Sequence, residues 1–258
     1  MSLTVLDRPE ILRAIFHPRR EYPPSPRVAG ARFLSIEVEP HVSLGARLFP
    51  ASRQAPAILY WHGNGEIAAD YDGLAPLYTQ AGITLLVVDY RGYGTSDGSP
   101  TCSNLLSDAV TVFDAVQEIF ERQALAPLRL YVMGRSLGSA AAIEVATRAA
   151  DVLAGLILES GFADTFALLA RLGIRLQGLQ ESQDGFNGAA KMELINIPTL
   201  VIHGEQDVLI PAQDGEELFR RSAALDKRLL LLPGAGHNDL LVMGGRQYME
   251  SMATFVFG

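Results

Sequence analysis

A hydroxyl that attacks a carbonyl must be exposed, must have a base beside it, and must leave the developing negative charge somewhere to rest. The stretch Tyr131-Val132-Met133-Gly134-Arg135-Ser136-Leu137-Gly138-Ser139 offers the first of these. An apolar run ends in Gly-x-Ser-x-Gly and passes directly into Ala140-Ala141-Ala142-Ile143, a composition suited to a helix. A sharp strand-to-helix reversal pushes the side chain at its apex out of the packed sheet. Gly134 and Gly138 leave room where the helix start crowds against neighbouring strands. Ser136 is thereby presented at a helix N-terminus, which favours negative charge. Glycines and serines are common in turns, so the meaning of this pattern depends on what the chain supplies elsewhere.

The base is His237, in Leu232-Pro233-Gly234-Ala235-Gly236-His237-Asn238-Asp239. This glycine-rich loop follows the last apolar run and can lay an imidazole over Ser136. Imidazole takes and returns a proton near neutral pH. Asp207, in Ile202-His203-Gly204-Glu205-Gln206-Asp207-Val208, is the acid that would fix the tautomer of His237. Glu205 and Glu159 remain alternative acids. Two backbone N–H groups suit the oxyanion: Leu137, from the turn itself, and Asn64, in Trp61-His62-Gly63-Asn64-Gly65-Glu66. His62 reads as a structural brace of that loop. Phosphate-cradling glycine patterns do not follow this strand, and no His-Glu-x-x-His occurs, so neither a cofactor nor a metal is expected.

The elements that must position these groups follow from periodicity. Short apolar runs at 57–61, 84–89, 128–133, 154–159, 198–203 and 228–232 read as strands. Segments 67–80, 103–123, 138–149, 165–178, 212–223 and 240–254 carry helical spacing. Runs such as Ala57-Ile58-Leu59-Tyr60 are continuous rather than alternating, as strands covered on both faces require. Phe33–Val38 and Val42–Phe49 flank Glu39-Pro40-His41 and form an antiparallel hairpin. These elements predict an α/β fold with a mostly parallel sheet of about eight strands, the hairpin leading it and helices on both faces. Residues 1–30 read as an N-terminal arm, with Pro18, Pro23, Pro24 and Pro26, and with Ile11, Leu12, Ile15 and Phe16 as a short docking helix. Residues 31–258 read as one domain.

The rhythm breaks once. Residues 161–197 are longer than a simple crossover and read as a small lid over the carboxyl edge of the sheet, where pockets of open sheets lie. Phe162, Phe166 and Leu169 are the candidate substrate contacts there. Asp89-Tyr90-Arg91-Gly92-Tyr93-Gly94 closes another strand. Asp89 and Arg91 would brace the neighbouring active-site loops, and Tyr93 would reach the pocket wall.

Composition narrows the class. With 258 residues, 48% of them hydrophobic, the chain supports a large core. Its 29 acidic and 21 basic residues give a net charge of −8, which argues against nucleic acid or an anionic membrane as partner. Cys102 is the only cysteine, so neither an internal disulfide nor a thiolate-rich metal site can form. The first residues lack the pattern of a signal peptide, and no apolar run approaches the roughly 20 residues needed to span a bilayer. A cytoplasmic protein of open oligomeric state is the expectation.

With Ser136, Asp207 and His237 in that chain order, the sequence resembles the α/β-hydrolase superfamily. The matching motifs are His62-Gly63-Asn64-Gly65, Asp89 to Gly94, Gly134 to Gly138, Gly204 to Asp207, and Gly236-His237, which together cover almost the whole chain. Leu158-Glu159-Ser160-Gly161-Phe162-Ala163-Asp164 looks like the corresponding segment of the Bem46-like and serine aminopeptidase-like (hydrolase_4) serine hydrolases. Gly161 stands where that group usually has proline. The resemblance implies an α/β-hydrolase fold and hydrolysis of an ester or thioester of a fairly hydrophobic small molecule through an acyl-enzyme. A peptidase acting near a free amino terminus would need an acidic anchor, Glu66 or Asp164. A non-catalytic hydrolase-like binding protein is a third reading. The cysteine-rich N-terminal anchor of the depalmitoylating relatives has no counterpart here, which points away from that activity.

Overall fold

Eight strands form one sheet: β1 (Arg32–Glu39), β2 (Val42–Phe49), β3 (Ala57–Trp61), β4 (Thr84–Val88), β5 (Leu130–Arg135), β6 (Gly155–Glu159), β7 (Thr199–Gly204) and β8 (Lys227–Leu232). Their order is β1-β2-β4-β3-β5-β6-β7-β8. β1 and β2 pair antiparallel, and β2 joins β4 antiparallel; every pair from β4 to β8 is parallel. The computed structural model describes residues 3–21 and 30–258. Pro23, Pro24 and Pro26 of the arm lie outside the described residues.

The continuous apolar runs have a simple use. In β3, Leu59 and Trp61 enter one core, while Ile58 and Tyr60 enter the other. Leu86 and Val88 part from Leu85 and Val87 in β4, and Leu156 and Leu158 part from Ile157 in β6. Successive side chains of a strand point to opposite faces, so a strand buried on both sides has no polar positions to spare. One core is covered by α1 (Pro9–Ile15), α3 (Cys102–Arg122), α4 (Gly138–Arg148) and α8 (Ala212–Arg221). The other lies beneath α2 (Ala75–Gln80) and α9 (Leu240–Phe257). α3 shows why these segments are helical. Leu105, Ala109, Val112, Val116 and Phe120 recur at three- and four-residue steps and are buried. Thr101 accepts the Asn104 N–H, and the Asn104 side chain returns to the Thr101 N–H, closing the first turn.

Several element boundaries differ from the periodicity. The segment read as 67–80 is a 3-10 turn, Ala68–Gly73, followed by α2, with Pro76 in the first turn of the new helix. The segment read as 165–178 stops as α5 (Thr165–Arg171). Gly173 has φ 87°, a left-handed conformation that ends a helix. Beyond it, α6 (Glu181–Asp184) and α7 (Gly188–Met192) are short helices that periodicity did not signal. Lastly, β5 runs two residues further than expected and carries Arg135 as its final residue.

Residues 161–197 are tied to the body by polar contacts. Asp214 Oδ1 accepts the Ala163 N–H at 3.0 Å, and Arg171 reaches Asp214 Oδ2 at 2.9 Å. Lys191, in α7, donates to Glu144 of α4 at 2.6 Å. Within the segment, Glu181 accepts the N–H and hydroxyl of Thr165 and the N–H of Asn187. The N-terminal residues are held as well. Leu3, Leu6, Ile11, Ile15 and Phe16 are buried. Glu21 and Asp72 both pair with the buried Arg47 of β2. No helix among the described residues is long and apolar enough to cross a membrane.

Candidate active site

Ser136 sits between β5 and α4 with φ 51°, a left-handed conformation that costs a non-glycine residue about 1–3 kcal/mol. The flanking glycines are what make the turn possible. A Cβ at Gly134 would fall on the Gly138 carbonyl, and one at Gly138 would fall on the Trp61 carbonyl. The Ser136 N–H is held by the Glu159 carbonyl at 2.9 Å, and the Ser139 hydroxyl donates to the Ser136 carbonyl at 2.7 Å. Ser160 repeats the left-handed turn one strand away, at φ 46°. Its hydroxyl is enclosed and has no hydrogen-bond partner among the described residues, so it is not presented to a substrate.

His237 Nε2 lies 3.0 Å from Ser136 Oγ, and His237 Nδ1 lies 2.7 Å from Asp207 Oδ2. A carboxylate only accepts, so Nδ1 carries the proton and Nε2 is left as an acceptor facing the serine hydroxyl. Asp207 Oδ1 accepts the N–H groups of Leu209 at 3.0 Å and Ile210 at 2.8 Å. Burial pushes the Asp207 carboxyl up, but hydrogen bonds from His203 and His237 outweigh it and hold the group well below the usual carboxylate range. The other acids considered are spent elsewhere. Glu205 is exposed, and Glu159 engages Arg135 and Tyr248.

His203 is a neighbour of Asp207 that the sequence reading passed over. Its ring is fully buried, with Nε2 2.8 Å from the Ile210 carbonyl and 3.5 Å from Asp207 Oδ2. Because the carbonyl accepts, Nε2 bears the proton. Nδ1 is buried with no hydrogen-bond partner among the described residues, against Gly215 of α8. The His-x-x-x-Asp spacing was visible in the sequence, but nothing local said that both side chains would turn inward.

The loop after β3 carries Asn64. Neither its N–H nor that of Leu137 has a backbone or side-chain acceptor among the described residues, which leaves both available as donors. The Asn64 side chain is clamped. Its Oδ1 accepts from the His17 N–H at 2.9 Å and the Tyr93 hydroxyl at 2.7 Å, and its Nδ2 meets His17 Nδ1 at 2.8 Å. The N-terminal segment thus touches the site, and Arg19 and Glu21 continue along it by backbone hydrogen bonds to Gly94. His62 is fully buried against Tyr90 and Tyr93, with Nδ1 2.8 Å from the Gly63 carbonyl and Nε2 3.2 Å from Asp89 Oδ1.

Among the proposed substrate contacts, Phe166 is partly exposed, whereas Tyr93, Phe162 and Leu169 are enclosed. Tyr93 is drawn in by its hydroxyl, and Phe162 packs edge-on against Phe186 with ring centres 5.9 Å apart. Arg91 does not brace the active-site loops. It forms a two-pronged pair with Asp108 of α3 and reaches Glu39 of β1. Asp89 does serve the neighbouring loop, accepting the Ala68 N–H at 2.8 Å. Neither candidate anchor for a free amine is unengaged. Glu66 pairs with Arg135, Tyr71 and the Gly63 N–H, and Asp164 caps α5 through the Ala167 N–H at 2.7 Å.

Comparison with known proteins agrees with this architecture. The family model Hydrolase_4, serine aminopeptidase S33, matches residues 52–180 and 168–241. The uncharacterised protein YfhR of Escherichia coli K12 is 33% identical over 211 residues, covering 80% of this chain and 72% of that protein. Human alpha/beta hydrolase domain-containing protein 17B is 30% identical over 205 residues, covering 77% of this chain and 65% of that protein. Among solved structures, the Pyrococcus furiosus esterase Pf2001 superposes with a TM-score of 0.74 at 17% identity, covering 93% and 96% of the two chains. The Paleococcus ferrophilus monoacylglycerol lipase does so at 0.65 and 19%, covering 83% and 98%. At that identity the structural matches speak for the fold, while the family model and the sequence relatives speak for descent: the chain belongs to the Hydrolase_4 (serine aminopeptidase, S33) family of α/β-hydrolases.

Proposed function

We propose that the protein is a serine hydrolase that cleaves a carboxylic ester or thioester of a fairly hydrophobic small molecule. The reading rests on one observation, the unbroken chain from Asp207 Oδ2 through His237 to Ser136 Oγ at 2.7 and 3.0 Å. His237 Nε2 takes the hydroxyl proton as Ser136 Oγ bonds to the carbonyl carbon. Asp207 steadies the imidazolium, and the N–H groups of Leu137 and Asn64 receive the oxyanion. Loss of one such donor typically costs about 3 kcal/mol of transition-state stabilisation. The carbon–oxygen or carbon–sulfur bond then breaks, and the imidazolium protonates the departing alcohol or thiol. Water, deprotonated by the same imidazole, releases the acid and restores Ser136. The apolar residues of 161–197, with Phe166 foremost, are proposed to meet the acyl part.

The ester reading is favoured over an aminopeptidase because Glu66 and Asp164 are both committed within the protein. The decisive experiment is turnover of p-nitrophenyl acyl esters from two to sixteen carbons by wild type and by Ser136→Ala. Turnover that vanishes in the variant while circular dichroism is unchanged supports the reading, and turnover retained in the variant sinks it. A faster reaction with an aminoacyl amide than with the acyl esters would move the assignment to the peptidase.

A further inference from the structure

The side chain that holds the catalytic loops to one another is one that the chemistry above never uses. Arg135, the last residue of β5, is only 8% exposed and sends its guanidinium toward the α2 and α9 side of the sheet. Nε donates to Glu159 Oε1 at 3.0 Å, and Nη1 donates to Glu66. Nη2 donates to the His237 carbonyl at 2.7 Å and to Asn238 Oδ1 at 2.8 Å. Glu66 in turn accepts the Gly63 N–H at 2.9 Å, one residue before the Asn64 donor. Glu159 is backed by the Tyr248 hydroxyl at 2.6 Å.

We propose that Arg135 is a positioning residue for catalysis, setting the histidine loop and the oxyanion loop at a fixed distance from the adjacent Ser136. The inference rests on the reading of Ser136, Asp207 and His237 given above. The histidine loop contains Gly234 and Gly236, so its own backbone restrains it little. A planar guanidinium presents its donors in a rigid fork, which fits acceptors arriving from three separate elements. An ammonium cannot reproduce that geometry. The buried Glu159 and the partly buried Glu66 flank the cation: burial alone would lower its pKa, but the two carboxylates hold it above the ordinary value. A residue at 63 with a side chain would strike the guanidinium, which accounts for glycine at that position.

The test compares wild type, Arg135→Lys and the neutral triple variant Arg135→Met/Glu66→Gln/Glu159→Gln, which leaves no buried charge unpaired should the lysine variant fail to fold. Active serines are counted with a fluorophosphonate, and kcat is expressed per counted serine on a p-nitrophenyl ester. Displacement of a catalytic group by about 1 Å can cost on the order of 100-fold, so the expected loss in kcat is roughly 10- to 100-fold, with KM changed less than about threefold. A kcat per counted serine within about twofold of wild type, with only the melting temperature lowered, would reduce Arg135 to a structural brace and overturn the proposal. A raised KM at unchanged kcat would overturn it too, by making Arg135 a substrate contact. Wild type that neither turns over ester nor labels at Ser136 would defeat the hydrolase reading itself, and this inference with it.

Discussion

His203 Nε2 lies 3.5 Å from Asp207 Oδ2, the same oxygen that His237 Nδ1 engages at 2.7 Å. One carboxylate thus faces two imidazoles with different duties. In the proposed reaction one imidazole carries the proton, while the Nε2–H of the other is held by the Ile210 carbonyl and faces the acid as a donor. Asp207→Asn should reduce kcat by roughly 10³- to 10⁴-fold, since the amide stabilises the wrong tautomer of His237. His203→Ala removes one of several restraints and should cost on the order of tenfold in kcat, with KM little changed. Steady-state kinetics on a single ester checks both values. Equal losses would mean that His203 does more than orient the acid.

Asn64 separates main-chain from side-chain effects. Its N–H is the proposed oxyanion donor, and its amide side chain is held by His17 and Tyr93. Asn64→Gly keeps the N–H and removes the clamp. Its kcat should fall by less than the roughly 100-fold expected for loss of a donor, and Tyr93→Phe should reproduce part of that fall. A drop in Asn64→Gly equal to full donor loss would show that the N-terminal contact governs whether the loop is formed at all.

Two glycines predict opposite effects of the same substitution. A Cβ at Gly138 would strike the Trp61 carbonyl, whereas Gly245, inside α9, has nothing within 4 Å of the added carbon. Gly138→Ala should destabilise by about 3 kcal/mol or prevent folding, because backbone rather than a flexible side chain must move. Gly245→Ala, just after the non-helical Gly244 that kinks α9, should stabilise by about 0.4–1 kcal/mol, chiefly by lowering the entropy of the unfolded chain. Urea unfolding of the two variants measures both signs.

Acid sensitivity can be assigned to a particular pair. Burial pushes the Glu144 carboxyl up, but Lys191 and Arg148 outweigh it and leave the group below its ordinary value of 4.5. A depressed folded-state value contributes stability that is complete above the unfolded value and disappears as pH falls through the folded one. Glu144→Gln should therefore be about 1–2 kcal/mol less stable than wild type at pH 7, and the gap should close as pH falls below about 4. Asp108 and Glu181 are shifted upward by burial and oppose the trend, so the comparison must be wild type against variant at each pH. A gap that is constant from pH 7 to pH 3 would deny the pair its role.

The parts of this molecule that could be read from the chain are those encoded locally. Gly134, Ser136 and Gly138, set between an apolar run and an alanine-rich segment, mark a strand-to-helix turn, and continuous apolar runs declare strands covered on both sides. Asp207 and His237 announce themselves by following strand ends in glycine-bearing loops. Other contacts depend on partners far away in sequence. Arg135 meets Glu66 and His237 across 69 and 102 residues, and His17 meets Asn64 across 47. Nothing in the composition around those residues favours one partner over another. The end of α5 is an intermediate case. Gly173 was in plain sight, but an amphipathic pattern continuing to Ile174 outweighed it on periodicity, while in the fold the left-handed turn at that glycine prevails.

The split of each central strand between two cores limits how the molecule can change. Removing one residue from β5 before Ser136 would exchange the environments of Val132 and Met133 and rotate the serine away from His237 at a stroke. Length variation is therefore barred from the strands and left to the connections between them. Those connections, such as residues 161–197, are where a descendant of this scaffold would acquire a new substrate without rebuilding its interior.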